Sequence, residues 1–138
     1  MTPEEAKLVQ ETFKQLEANT DHVAAVFYER LFALDPSLRD LFRGDLETQG
    51  RKLITMLKMI TKAIDSLYAI LPAIETLAFQ HVRFGVRPAD YDTFGKALIE
   101  MLESELGPDC TPEVKAAWQQ AYTEISSLMK EAAKDVVR

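Results

Sequence analysis

Apolar residues recur every three or four positions along almost the whole chain, which is the spacing of one face of an α-helix. The last segment is typical, with Val114, Trp118 and Tyr122 each four residues apart. No segment shows the alternation of apolar and polar residues that indicates a half-buried strand. The sequence therefore predicts an all-α fold, a compact bundle of roughly six to eight helices.

Prolines and glycines mark where these helices begin and end. Thr2-Pro3 and Thr111-Pro112 each combine an N-cap hydroxyl with a proline in the first helical position. The second helix should stop before Pro36, where a short helical turn can begin. Gly107 follows the fifth apolar series and predicts its end.

Two boundaries depend on periodicity rather than on caps. The third helix is expected to continue as far as its apolar series does, which comprises Leu53, Leu57, Ile60, Ile64 and Leu67. A shorter helix should run from Pro72 to Phe84 and end at Gly85, and Pro88 should begin the next one.

The composition excludes several classes of protein. The 138 residues suit a single domain spanning residues 1–138, and 22 acidic against 16 basic residues disfavour nucleic acid as a partner. No apolar stretch approaches the ~20 residues of a membrane span, so no membrane association is expected. The N-terminus lacks the pattern of a secretory signal, and Cys110 cannot form an internal disulfide, so a cytoplasmic location is predicted.

Of the two histidines, only His81 lies in an apolar context. His22 stands among polar residues in the first turn of the second helix and is predicted to be a surface residue. His81 follows Leu77 by four residues and Ala78 by three, which places it on the apolar side of its helix. A lone histidine there is usually a core residue, but one axial histidine and an apolar slot also suffice for a haem.

The order and spacing of several residues resemble the skeleton of the globin family. Pro36 begins a short helical segment, and Phe42 follows it by six residues. Gln49 matches a distal polar residue, Leu53 follows Gln49 by four residues, and His81 matches a proximal histidine. Together with Tyr28, Tyr91 and the stretch 117–122, the pattern is similar to bacterial single-domain haemoglobins and the haem domain of flavohaemoglobins. The resemblance covers the whole chain and implies a globin fold.

The resemblance also implies haem b (iron protoporphyrin IX) as the cofactor, with His81 as the proximal iron ligand. Tyr28 and Gln49 match the distal pair that hydrogen-bonds a bound gas, and Leu53 matches the apolar wall one turn after Gln49. Lys52 can reach a haem propionate, although a solvated lysine is the alternative. The implied haem-binding set is His81, Phe42, Tyr28, Gln49, Leu53, Lys52, Val86, Tyr91 and Phe94.

The proximal side departs from these relatives, in which a tyrosine and a glutamate of the last helix polarise the histidine. Tyr91 matches the tyrosine, but Ala133 stands at the position of the glutamate. Glu131 is two residues earlier, about 200° around the helix, and should not substitute. His81 is therefore expected to donate its free N–H to the carbonyl of Leu77, which disfavours peroxidase-like chemistry.

The resemblance implies reversible binding of oxygen, nitric oxide or carbon monoxide, with high oxygen affinity. Turnover of nitric oxide would need a separate reductase, since 138 residues leave no room for a flavin domain. Storage, nitric oxide detoxification and sensing remain open, as does the oligomeric state. The alternative is a haem-free globin-fold interaction or sensor module, in which His81 and Phe42 are core residues.

Overall fold

A computed structural model describes residues 1–134, and within that range the chain is helical and contains no strand. The all-α prediction is confirmed. The six α-helices are α1 (Pro3–Leu16), α2 (Thr20–Leu34), α3 (Leu46–Lys62), α4 (Leu71–Arg83), α5 (Asp90–Leu106) and α6 (Pro112–Lys134). Short 3-10 segments occur at Glu17–Asn19, Pro36–Leu41, Leu67–Ile70 and Gly107–Asp109.

Side-chain caps begin the helices where the sequence predicts them. At α1, the Thr2 hydroxyl accepts the amide N–H of Glu5 at 3.1 Å, and the Glu5 carboxylate accepts the amide N–H of Thr2 at 2.9 Å. At α6, the Thr111 hydroxyl accepts the amide N–H of Val114 at 3.2 Å. These bonds satisfy backbone donors that have no partner inside the helix.

The expected end of α3 at Leu67 is wrong, because the helix ends at Lys62. The chain turns after Ala63, yet Ile64 and Leu67 remain buried, at 3% and 8% exposure. They face the core from a turn and a 3-10 segment rather than from a helix. Their spacing therefore reflects burial and not helical geometry.

The expected start of the fifth helix at Pro88 is also wrong by two residues. Helix α5 begins at Asp90, and Pro88 lies in the preceding turn. The carboxylate of Asp90 accepts the amide N–H of Arg87 at 2.8 Å and holds this turn in place. The amide N–H of Asp90 also donates to the carbonyl of Arg87 at 2.9 Å, so residues 87–90 form a tight turn before the regular α-helix begins.

The packing separates α3 from α4. Helix α3 packs mainly on α2 and α1, whereas α4 packs mainly on α6. The indole N–H of Trp118 in α6 donates to the hydroxyl of Thr12 in α1 at 2.8 Å, which ties the first helix to the last. The arrangement leaves a cleft between α3 and α4. Within residues 1–134, no helix is long and apolar enough to cross a membrane.

Candidate functional site

His81 lies in the last turn of α4, half-buried beside the fully buried Ala78. Its Nδ1 lies 2.7 Å from the carbonyl oxygen of Leu77, as the sequence predicts. Because a carbonyl can only accept, Nδ1 carries the proton of the neutral ring. Nε2 is then the nitrogen with a free lone pair, which is the form that binds a metal.

Burial favours that neutral ring. The loss of solvation lowers the pKa of His81 below its ordinary value, and the hydrogen bond to Leu77 opposes this effect only in part. The imidazole is therefore uncharged near neutral pH. The other histidine, His22, is exposed at the start of α2, and its Nε2 lies 3.1 Å from the carboxylate of Glu105.

Tyr91 and Phe94, both in α5, continue the cluster around His81. The Tyr91 ring is stacked on the imidazole, with centroids 6.2 Å apart and 16° between the planes. Phe94 meets Tyr91 edge-on at 6.1 Å. Val86 joins the group through its backbone, since its amide N–H donates to the carbonyl of His81 at 2.9 Å.

Helix α6 fixes the position of α5 at this cluster. The Tyr122 hydroxyl donates to the backbone carbonyl of Tyr91 at 2.5 Å. Gly95 makes room for the Tyr122 ring, because a Cβ at position 95 would lie 2.8 Å from it. The backbone of Tyr91 is thus held by α6, while its ring contacts His81 on α4.

Within residues 112–134, α6 brings no carboxylate into hydrogen-bond contact with Tyr91. Glu131 is exposed and forms an ion pair with Lys134, with a nitrogen–oxygen distance of 3.2 Å. The residue that does approach Tyr91 is Lys130, whose Nζ lies 5.8 Å from the ring centroid. Sequence spacing did not single out Lys130, since its approach depends on how α6 crosses α5.

Tyr28 and Phe42 form a second aromatic group between α2 and the segment after Pro36–Leu41. Their rings meet edge-on with centroids 5.1 Å apart, and Phe32 stacks on Tyr28 at 6.0 Å. Tyr28 is only 6% exposed, and burial raises the pKa of its hydroxyl to about 12. The phenol is therefore a protonated hydrogen-bond donor at neutral pH.

The remaining predicted residues lie on α3, where Gln49 and Leu53 are half-buried and Lys52 is exposed. Lys52 belongs to the cleft between α3 and α4, which has a volume of about 400 Å³. The sequence analysis did not name the other lining residues, which are Thr48, Arg51, Thr55, Met56, Met59 and Leu77. Thr48, Thr55 and Met56 lie three or four residues from Lys52, and that spacing was the available signal.

The structure thus gathers the predicted residues into separate groups. His81, Tyr91, Phe94 and Val86 surround the end of α4, whereas Tyr28 and Phe42 pack together near α2. Gln49 and Leu53 lie on α3, and among the described residues no hydrogen bond joins the Gln49 side chain to either group. The apolar residues that line the cleft, Met56, Met59 and Leu77, are only partly buried, as are Phe42, Leu53 and Val86.

The side chains at this site suit a metal-containing cofactor that itself supplies most of the ligands of its metal. Across residues 1–134, no three side chains of histidine, cysteine, aspartate or glutamate gather in a way that could hold a metal ion. His81 offers one basic nitrogen next to partly buried apolar surface. Fold and site together define an all-helical protein with one histidine near a cleft between two helices that pack on other partners.

Comparisons with known proteins agree with this class. The globin family model matches residues 25–129, so the chain belongs to the globin family. A globin-like protein of Aquifex aeolicus is 32% identical over 122 residues, which cover 88% of this chain and 86% of that protein. A flavohemoprotein of Vibrio cholerae is 32% identical over 126 residues, or 88% of this chain. The chain spans only about a third of the length of such flavohemoproteins, at 32% for the Vibrio protein.

Solved structures show the same fold. An engineered carbene transferase from Rhodothermus marinus, whose parent is described as a candidate nitric oxide dioxygenase, superposes with a TM-score of 0.89 at 27% identity. The match covers 99% of this chain and 95% of that one. A bacterial globin of Campylobacter jejuni has a TM-score of 0.87 at 22% identity, with 98% of both chains covered. The latter similarity concerns the fold alone.

Proposed function

We propose that this globin binds haem b through Nε2 of His81 and reversibly binds oxygen, and also nitric oxide or carbon monoxide, beside Tyr28 and Gln49. The observation that carries the proposal is the hydrogen bond from His81 Nδ1 to the Leu77 carbonyl, 2.7 Å long. It fixes the tautomer and leaves Nε2 as the ligand nitrogen. When bound, haem supplies an iron centre that takes up diatomic gases and changes oxidation state.

The cleft between α3 and α4 supports this choice of cofactor. Met56, Met59 and Leu77 give it an apolar lining, and Thr48 and Thr55 give it hydroxyls. A porphyrin has large apolar faces that the apolar lining would cover, whereas the two hydroxyls already donate to Asp45 and to the Arg51 carbonyl. Covering the partly buried side chains there would stabilise the complex by about 25 cal/mol per Å² of apolar surface.

Lys52 is the side chain we assign to a propionate. It lies at the rim of the cleft together with Arg51. The Arg51 guanidinium already donates to the Glu47 carboxylate at 2.6 Å, whereas Lys52 is exposed and lies on the adjacent position of the helix. An ammonium at that rim can form a charge-assisted hydrogen bond with a carboxylate.

Tyr28 and Gln49 supply the hydrogen bonds that retain the gas. The phenol O–H and the amide N–H are both donors, and each bond to a polarised ligand contributes roughly 1.5 to 3 kcal/mol. Two such bonds slow the release of oxygen by about two orders of magnitude or more relative to an apolar pocket. High oxygen affinity suits retention of oxygen, or a reaction of the bound oxygen, better than oxygen transport.

Conversion of nitric oxide to nitrate is the enzymatic activity that fits this site. The description of the Rhodothermus marinus protein as a candidate nitric oxide dioxygenase supports this activity. Flavohemoproteins extend well beyond the region they share with this chain. Nitrate formation from nitric oxide and O2 takes up one electron, which a bound haem iron would supply, so repeated cycles would need electrons from a reductase. We propose a separate reductase as that partner.

The visible absorption spectrum of the purified protein with stoichiometric haem tests the proposal. We expect one haem per chain, and a shift of the main absorption band when the reduced protein meets carbon monoxide. A spectrum identical to that of free haem would favour the haem-free interaction module instead. Nitrate formation from nitric oxide, measured with and without a reductase, then tests the enzymatic part alone.

A further inference from the structure

Lys130 brings a positive charge to the side of Tyr91. It belongs to α6, is half-buried, and its Nζ lies 5.8 Å from the centre of the Tyr91 ring. A cation within about 6 Å of an aromatic centroid is attracted by the negative face of the ring. Tyr91 is 5% exposed, so this contact occurs largely away from water.

The same ring continues to the histidine. Tyr91 stacks on His81 with 16° between the planes, so the ammonium and the imidazole both contact the same phenol ring. The backbone of Tyr91 is held by the Tyr122 hydroxyl, which limits how far the ring can move. Packing between α4, α5 and α6 thus determines the arrangement of His81, Tyr91 and Lys130.

We infer that Lys130 is a positioning residue that brings a positive charge to Tyr91, the aromatic neighbour of His81, where a carboxylate would make the histidine a stronger electron donor. This inference rests on the proposed haem site. The adjacent acid in the sequence, Glu131, is exposed and paired with Lys134. Glu131 therefore does not supply a carboxylate that matches the charge of Lys130 at Tyr91.

A cation at this place stabilises the reduced, less positively charged state of a bound haem. The two contacts put the ammonium no more than about 12 Å from the centre of the imidazole. With an effective dielectric constant of about 20, removal of one charge at that distance should change the equilibrium between ferric and ferrous haem about threefold to tenfold. This corresponds to about 30 to 60 mV for one electron. The change has a definite sign, since loss of the cation favours the ferric state.

A spectroelectrochemical titration of the haem-loaded protein tests the inference. Lys130→Met should lower the ferric–ferrous midpoint potential by about 30 to 60 mV, which corresponds to that threefold to tenfold change. It should also raise the iron–histidine stretching frequency. Lys130→Arg retains the charge, and its ferric–ferrous equilibrium constant should stay within about twofold of that of the unmodified protein. Lys134→Met, one turn later on the same helix, is the matched control and should change neither quantity.

Lys130→Gln provides a second neutral variant if methionine disturbs the packing. Neutral variants with intact haem absorption and an unchanged potential would overturn the inference. A shift of equal size in Lys134→Met would also overturn it, because that result would reflect net charge alone. If the unmodified protein takes up no haem, the proposed function fails and this inference fails with it.

Discussion

The Nδ1 atom of His81 lies 2.7 Å from the carbonyl oxygen of Leu77, one turn earlier in α4. A backbone carbonyl is a neutral acceptor, so it orients the ring without adding negative charge to it. The contact holds the histidine in place, and we expect it to leave the ring a weaker electron donor to a bound iron than a carboxylate acceptor would.

The iron–histidine stretching frequency of the ferrous, ligand-free protein should therefore fall in the range of ordinary oxygen-binding globins. Tyr91→Phe should shift it little, because the ring and its stacking remain. Ala133→Glu should raise it by supplying the missing carboxylate. Resonance Raman spectroscopy measures the frequency, and a high value in the unmodified protein would show that another acid reaches Tyr91.

Tyr28→Phe should accelerate oxygen dissociation about tenfold or more, since a tenfold change corresponds to about 1.4 kcal/mol. The variant keeps the edge-on contact with Phe42 and loses only the O–H donor. Association should change less, because most affinity changes appear in the dissociation rate. Stopped-flow displacement of oxygen by carbon monoxide measures both rates.

Tyr68→Phe is the matched control, because Tyr68 is 80% exposed and the same group is removed. Its oxygen kinetics should equal those of the unmodified protein. Gln49→Leu should act in the same direction as Tyr28→Phe. If neither distal change alters the dissociation rate by more than about twofold, the assignment of the distal pair is wrong.

The crossing of α2 and α3 depends on Gly50. A Cβ at position 50 would lie 2.9 Å from the Cβ of Ala24, so Gly50→Ala should destabilise the fold by roughly 1 to 3 kcal/mol. Chemical denaturation measures this value. In an Ala24→Gly background the clash disappears, and the same change should stabilise α3 by about 0.5 to 1 kcal/mol. Equal effects in both backgrounds would contradict a direct contact.

Asp90 anchors the turn between α4 and α5. Its carboxylate is 3% exposed and accepts the Arg87 amide N–H at 2.8 Å. Asp90→Ala leaves that donor without its partner, so we expect a loss of about 1 to 3 kcal/mol in unfolding free energy. Asp92→Ala, at an exposed position two residues later, should cost less than about 0.5 kcal/mol. Similar losses for both variants would argue against the anchoring role.

The sequence predicts features that local chemistry decides. The caps at Thr2 and Thr111 depend on neighbouring residues only, and both helices begin where those residues indicate. The contact of His81 with Leu77 also lies within one helix turn. Globin membership, inferred from residue order and spacing, is confirmed by the family match.

Features that depend on packing between helices were not predictable in the same way. Ile64 and Leu67 keep the spacing of a helix face although the helix has ended, because the core accepts apolar residues from turns as well. Lys130 is an ordinary lysine in the sequence, and only the crossing of α5 and α6 brings it to Tyr91. The lining of the cleft likewise requires the separation of α3 from α4.

Replacing the proximal histidine tests the central claim most directly. In His81→Gly, haem should bind weakly or not at all, and added imidazole should restore the absorption spectrum by filling the vacated space. His22→Ala, which alters an exposed histidine, should leave the spectrum unchanged. A His81→Gly protein that keeps the haem spectrum of the unmodified protein without imidazole would contradict the account.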